Sequence, residues 1–267
     1  LQLPSRITTG SLASPLADML TQARSSEMVS AIAHINDLAR GGHLRSAMEE
    51  AYILMEEAPT YLPLHIHMGD LLLKQDRVPD AISKFTVVAQ AYSSRGEPAR
   101  STDLLRRIVE IAPLDVKARM RLIDQLNNQG ETEIAIEELI ELADVHYRLA
   151  ELDRARATYQ KALGVAQQGR VNRSYGIRIL SQMADLDMQR LDWRQALLVY
   201  AQLRTLDPDD PRARRHIIEL NVRLGQINQA EAELDNYLSH LNGAAREGEA
   251  IRFLAELAEE LPELVFV

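Results

Sequence analysis

The sequence predicts an all-α protein, a solenoid of antiparallel helix hairpins. Three observations predict it. Strong helix formers (Ala, Leu, Glu, Arg and Gln) dominate the 267 residues, against only 12 glycines and 10 prolines. A small residue recurs at Ala47, Ala81, Ser101, Ala135, Ala155, Ala196 and Ala230, at intervals of 34, 20, 34, 20, 41 and 34. Helix breakers stand at fixed offsets from it. Gly42, Gly96, Gly130 and Gly225 precede it by five residues, and Pro59, Pro113 and Pro208 follow it by twelve.

Each element has a physical reason. Glycine adopts the left-handed conformation that ends a helix without steric cost, and proline cannot continue a helix. The small residue lets two antiparallel helices approach closely. A larger apolar residue four positions on fills the space one turn away: Phe85, Leu105, Leu139, Tyr159, Tyr200 and Leu234, with Ala51 in the first unit. At the 20-residue intervals Ser93 and Tyr147 stand where proline is expected. The helices near 79–95 and 132–150 can therefore run on, each closing one hairpin and opening the next. The 41-residue interval predicts a lengthened loop, or longer flanking helices, near 164–176.

The 34-residue period and the small-residue spacing resemble the tetratricopeptide repeat family over about residues 28–242, in about seven units. Met68-Gly69 reproduces the family's hydrophobic-Gly pair. Its Trp and Tyr positions in the first helix are mostly Leu, His or Asn here. The resemblance implies a right-handed superhelix whose first helices line a concave, protein-binding face.

The repeat domain is expected over 15–260, with a short helix at 15–24 begun by Pro15 and an amphipathic helix after the last repeat. Residues 1–14, rich in Ser, Thr, Gly and Pro, read as a flexible arm, and 261–267 as an apolar tail. The Leu1 start and the apolar end suggest a segment cut from a longer array. The same end is a candidate for pairing two copies into a homo-oligomer.

A net charge of −9 argues against direct binding of nucleic acid. The absence of cysteine excludes disulfides, thiolate metal sites and thiol catalysis, and fits a cytoplasmic location. No apolar run reaches the roughly 18 residues of a membrane span. Phosphate-binding glycine loops, a zinc-protease helix and a nucleophile elbow are all missing. His65 and His67, two apart, face different ways on a helix, and Glu56-Glu57 and Glu259-Glu260 read as solvated helix ends. No enzyme activity, metal or cofactor is expected.

Binding residues are read from the polar stripe of each first helix, at i, i+4, i+7 and i+11. The stripe comprises Lys117, Arg121, Asp124 and Asn128; Glu137, Glu141, Asp144 and Arg148; Arg178, Gln182, Asp185 and Gln189; and Arg212, His216, Glu219 and Arg223. Singly, these are also what the wet side of an amphipathic helix looks like. Together they form a mixed-charge groove for a protein or peptide partner. Some family members clamp a peptide's terminal carboxylate with Lys, Arg and Asn, and Lys117, Arg121 and Asn128 have that chemistry. Val87, Gln90, Glu137 and Glu141 on the neighbouring helices depart from the pattern. A sensor arm of a transcriptional regulator is a further reading, which requires a domain outside this chain.

Overall fold

The computed structural model describes residues 15–260, with side chains from 26 to 259. The expected arm at 1–14 and tail at 261–267 lie outside the described residues, as do the side chains of the helix expected at 15–24.

Among the described residues there are thirteen α-helices and no strand. The chain divides into two compact units, Leu1–Ala112 and Pro113–Val267. The first holds α1 (Pro15–Arg40), α2 (Leu44–Glu57), α3 (Leu62–Lys74), α4 (Val78–Ser94) and α5 (Pro98–Ile111). The second holds α6 (Val116–Gln129), α7 (Thr132–Arg148), α8 (Leu152–Gln168), α9 (Arg173–Gln189), α10 (Trp193–Leu206), α11 (Pro211–Arg223), α12 (Ile227–Gly243) and α13 (Glu247–Glu260). Within each unit, helices consecutive in sequence pack on one another. The short N-terminal helix proves to be the start of the 26-residue α1, because no breaker stands between Pro15 and Gly41.

The turns follow one rule. Five residues before every small residue the backbone turns left-handed: Gly42, Gly96, Gly130 and Gly225 at φ of 72° to 84°, and Asp76, Ala150 and Leu191 at 58° or 59°. The three non-glycine residues hold a conformation that glycine takes more cheaply. Hairpin geometry, rather than residue identity, therefore sets the turn.

Proline sets helix length. Helices α2, α5 and α10 stop two residues before Pro59, Pro113 and Pro208 and have 14 residues each. Where proline is missing, α4, α7, α8 and α12 reach 17 residues. Helix α4 packs on both α3 and α5, and α7 on both α6 and α8, as the 20-residue intervals require. A third shared helix was not read from sequence. Helix α12 packs on α11 and α13, and buried Ala250 follows Ala230 by a further 20 residues, with left-handed Ala245 ahead of it. The 41-residue interval is absorbed by helix. Helices α8 and α9 each have 17 residues, where their counterparts α10 and α11 have 14 and 13.

The small residues are among the most buried. Ala47, Ala81, Ala135, Ala155 and Ala196 are fully buried. In α3, a Cβ added to Gly69 would lie 2.3 Å from the Phe85 ring of α4. The hydrophobic-Gly pair thus seats the large residue of its own hairpin. The second unit has one core cluster spanning α6 to α11 and another joining α11, α12 and α13, where Tyr237 and Phe253 meet edge to face at 4.8 Å.

Candidate protein-binding surfaces

In the second unit, two side-chain bonds tie α7 to α9 along the expected stripe. Arg178 donates to both carboxylate oxygens of Glu137, at 2.8 and 3.0 Å, and the Tyr147 hydroxyl donates to Gln189 Oε1 at 2.7 Å. Asp144 is drawn inward and accepts from the Tyr159 hydroxyl of α8 at 2.5 Å. Burial, that carboxylate and Glu141 push the Tyr159 phenol well above its ordinary range. Glu141, Arg148 and Asp185 remain exposed, while Gln182 is half-buried.

On α11, Arg223 reaches Glu219 at 2.6 Å and lies over the Trp193 ring of α10 at 4.9 Å. His216 stacks on Tyr200 and places Nδ1 3.2 Å from Glu219. The hydrogen bond with His216, reinforced by the Arg223 charge, holds the Glu219 carboxyl below its ordinary range against the opposing effect of burial. Arg212 is exposed. Asp185 of α9 and Glu219 of α11 both raise the Tyr200 phenol, after burial as the main cause, so the two stripes converge on this ring.

Helix α6 differs. Lys117, Arg121 and Asn128 are exposed, and no side-chain bond among the described residues joins them to α7, α9 or α11. Asp124 is exposed as well. It lines a cavity of about 120 Å³ with Met120 of α6, His146 of α7 and Thr158 and Lys161 of α8.

Sequence reading missed two groups of residues. One is a pair of buried cations at the same repeat position, Arg119 and Arg214. Each pairs with a glutamate 19 residues on, Glu138 at 2.5 Å and Glu233 at 2.7 Å. The recurring Arg and Glu at equal distances from Ala135 and Ala230 were the available signal. The other is a set of apolar side chains left in water in the first unit, among them Tyr52 and Ile53. Their signal was an apolar residue at a position where the repeat expects a polar one.

The described residues contain no cluster of three or more metal-ligating side chains, and no described helix is long and apolar enough to cross a membrane. Hairpins of this spacing, with their left-handed turns and the Gly69–Phe85 contact, define an all-α helical-repeat fold, the architecture that the tetratricopeptide resemblance implies. No model of a known protein family matches the chain, and neither does any curated protein. Among solved structures it is similar to MamA, at 12% identity and a TM-score of 0.34 over 79% of this chain and 96% of that one. It is similar to PcrH from Pseudomonas aeruginosa, at 22% and 0.34 over 48% and 92%. It is also similar to NprR in complex with its cognate peptide NprX, at 15% and 0.36 over 95% and 82%.

Proposed function

We propose that the chain is a protein-interaction scaffold, without catalysis of its own, that binds a peptide or protein segment on the polar face of α7, α9 and α11. One observation carries the reading. Stripe residues of α7 and α9 are cross-braced by Glu137–Arg178 and Tyr147–Gln189, which holds exposed Glu141, Arg148 and Asp185 on a prearranged surface. Prearranged charge favours a mixed-charge partner, because fewer side chains must be ordered on binding. The exposed α6 residues Lys117, Arg121 and Asn128 belong to the same reading, with two cations and one amide. The carboxylate clamp is the weaker form of this reading, since no bond brings those three together. A cytoplasmic location belongs to the same proposal, and cell fractionation tests it.

The test is selection of random displayed peptides on the full chain, followed by affinity measurement against Arg148→Glu/Arg178→Glu. About a tenfold loss or more is expected for peptides seated here. Unchanged affinity for every selected peptide removes this face as the site.

A second reading, self-association through the C-terminal end, is favoured by Ile251 and Leu254 of α13, which are 69% and 39% exposed. Sedimentation of the full chain against Ile251→Glu/Leu254→Lys decides it. A monomer at high concentration defeats it.

A further inference from the structure

The first unit contains a groove of about 470 Å³, walled by α2 and α4 and floored by α3. Its floor is apolar, with Leu62, Met68 and Leu72. Its walls carry Tyr52 of α2, 51% exposed, and Val87 of α4, 64% exposed. Helix α4 meets α3 through Ala81 and Phe85, so the turn bearing Val87 stands clear of its hairpin partner. Apolar side chains facing one another across open water are held there at a cost that a ligand's apolar surface would remove.

The groove also contains an uncompensated charge. Arg77 and Asp80 neutralise each other on its wall at 2.7 Å. Lys84 has no carboxylate within ion-pair distance among the described residues. Its ammonium is 3.5 Å from His65 Nδ1, and His65 Nε2 lies 2.8 Å from the Pro59 carbonyl oxygen. A ring that donates from Nε2 to that carbonyl leaves the Nδ1 lone pair to accept from Lys84. The arrangement aims the ammonium and keeps its charge. In a chain of net charge −9, a bare half-buried cation in an apolar groove is a local exception.

We propose that this groove is a second docking site, for a partner protein's segment that presents two or three apolar side chains around one carboxylate. Tyr52, Val87 and the floor take the apolar side chains, and Lys84 takes the carboxylate in a charge-assisted hydrogen bond. The proposal does not rest on the α7–α9–α11 face. It lies in the other unit and needs a different ligand chemistry.

The test is selection of random displayed dodecapeptides on the full chain, with counter-selection on Val87→Asp. Val87 is mostly exposed, and circular dichroism confirms that the variant folds. The recovered peptides are expected to be apolar and enriched in Asp or Glu. Synthetic copies should bind about tenfold more weakly or worse to Lys84→Glu, within about threefold of wild type to Lys84→Arg, and unchanged to Arg148→Glu/Arg178→Glu. Three results overturn the proposal: recovered peptides without acidic enrichment, affinity that survives Lys84→Glu, or no peptide sensitive to Val87→Asp. Sedimentation of the full chain adds a fourth. A dimer that Val87→Asp dissociates would make the occupant a second copy rather than a partner.

Discussion

Arg214 of α11 donates to Glu233 of α12 across 2.7 Å, with side chains only 5% and 6% exposed. Arg204 of α10 reaches the other oxygen of the same carboxylate, and Asn236 accepts from Arg214 at 2.9 Å. Glu233 thus joins three consecutive helices. Removing one partner of such a pair leaves the other as a buried, uncompensated charge. Glu233→Ala should therefore destabilise by about 3–5 kcal/mol. The double change Arg214→Met/Glu233→Leu should cost much less, because the buried cation goes with its carboxylate and Arg204, 37% exposed, can turn to water. Chemical denaturation of the three proteins checks this, and equal losses would refute it.

Gly69 stands where a neighbouring helix, rather than a turn, leaves no room for a side chain. Gly69→Ala pushes a methyl into the Phe85 ring and should cost about 1–3 kcal/mol. Phe85→Leu in the same background should recover part of that loss. A thermal melt of the single and double variants separates this steric account from a general helix effect, under which alanine would stabilise the helix.

Ala135 is fully buried where α7 meets α6. Ala135→Arg combines overpacking with burial of a charge, and should destabilise by roughly 1–3 kcal/mol or more. Exposed Ile134 beside it is 39% exposed, and Ile134→Arg should leave the denaturation midpoint nearly unchanged. Similar losses at both positions would contradict the assigned packing face.

Glu219 supplies a pH dependence in acid. Its folded carboxyl is held below the ordinary value of 4.5, chiefly by His216 and then by Arg223. A depressed folded value means that its stabilisation is complete above about pH 4.5 and is lost as pH falls through the folded value. Glu219→Gln should therefore lower stability at neutral pH and flatten the decline below 4.5. Denaturant midpoints measured from pH 7 down to 3 check both parts.

Tyr159 and Tyr200 act at the alkaline end. Burial raises both phenols above 10, and Asp144 adds to the effect at Tyr159. A raised folded value means that stabilisation is complete below pH 10 and is lost as pH rises above it. Tyr200→Phe should reduce the loss of stability between pH 10 and 11. An unchanged alkaline slope would show that this ring is not what the fold protects.

Much of the array was legible because its signals are local. Glycine and proline act through their own backbone, and Gly130 and Pro113 mark the same boundaries in sequence and in space. The third shared helix was hidden because no proline follows α12 and its closing turn falls on Ala245 rather than on glycine. Its unit is visible only through Ala250, whose role depends on where α13 lands. The polar stripes on α7, α9 and α11 were legible from helical periodicity. That Asp124 also borders a cavity with α8 was not, because α8 lies far along the chain.

The sequence by itself determined the fold class, the ends of the proline-terminated helices and the spacing of small residues, since each depends on residues within one or two turns. Tertiary structure alone decided which polar residues stay in water. Arg214 and Arg178 are both arginines on first helices. One is buried against Glu233, and the other is exposed as a brace to Glu137. Periodicity assigns a side chain to a face of its helix, but burial depends on the helix packed beside that face. The same distinction separates Lys84, aimed into an open groove by His65, from the many lysines and arginines that only solvate a surface.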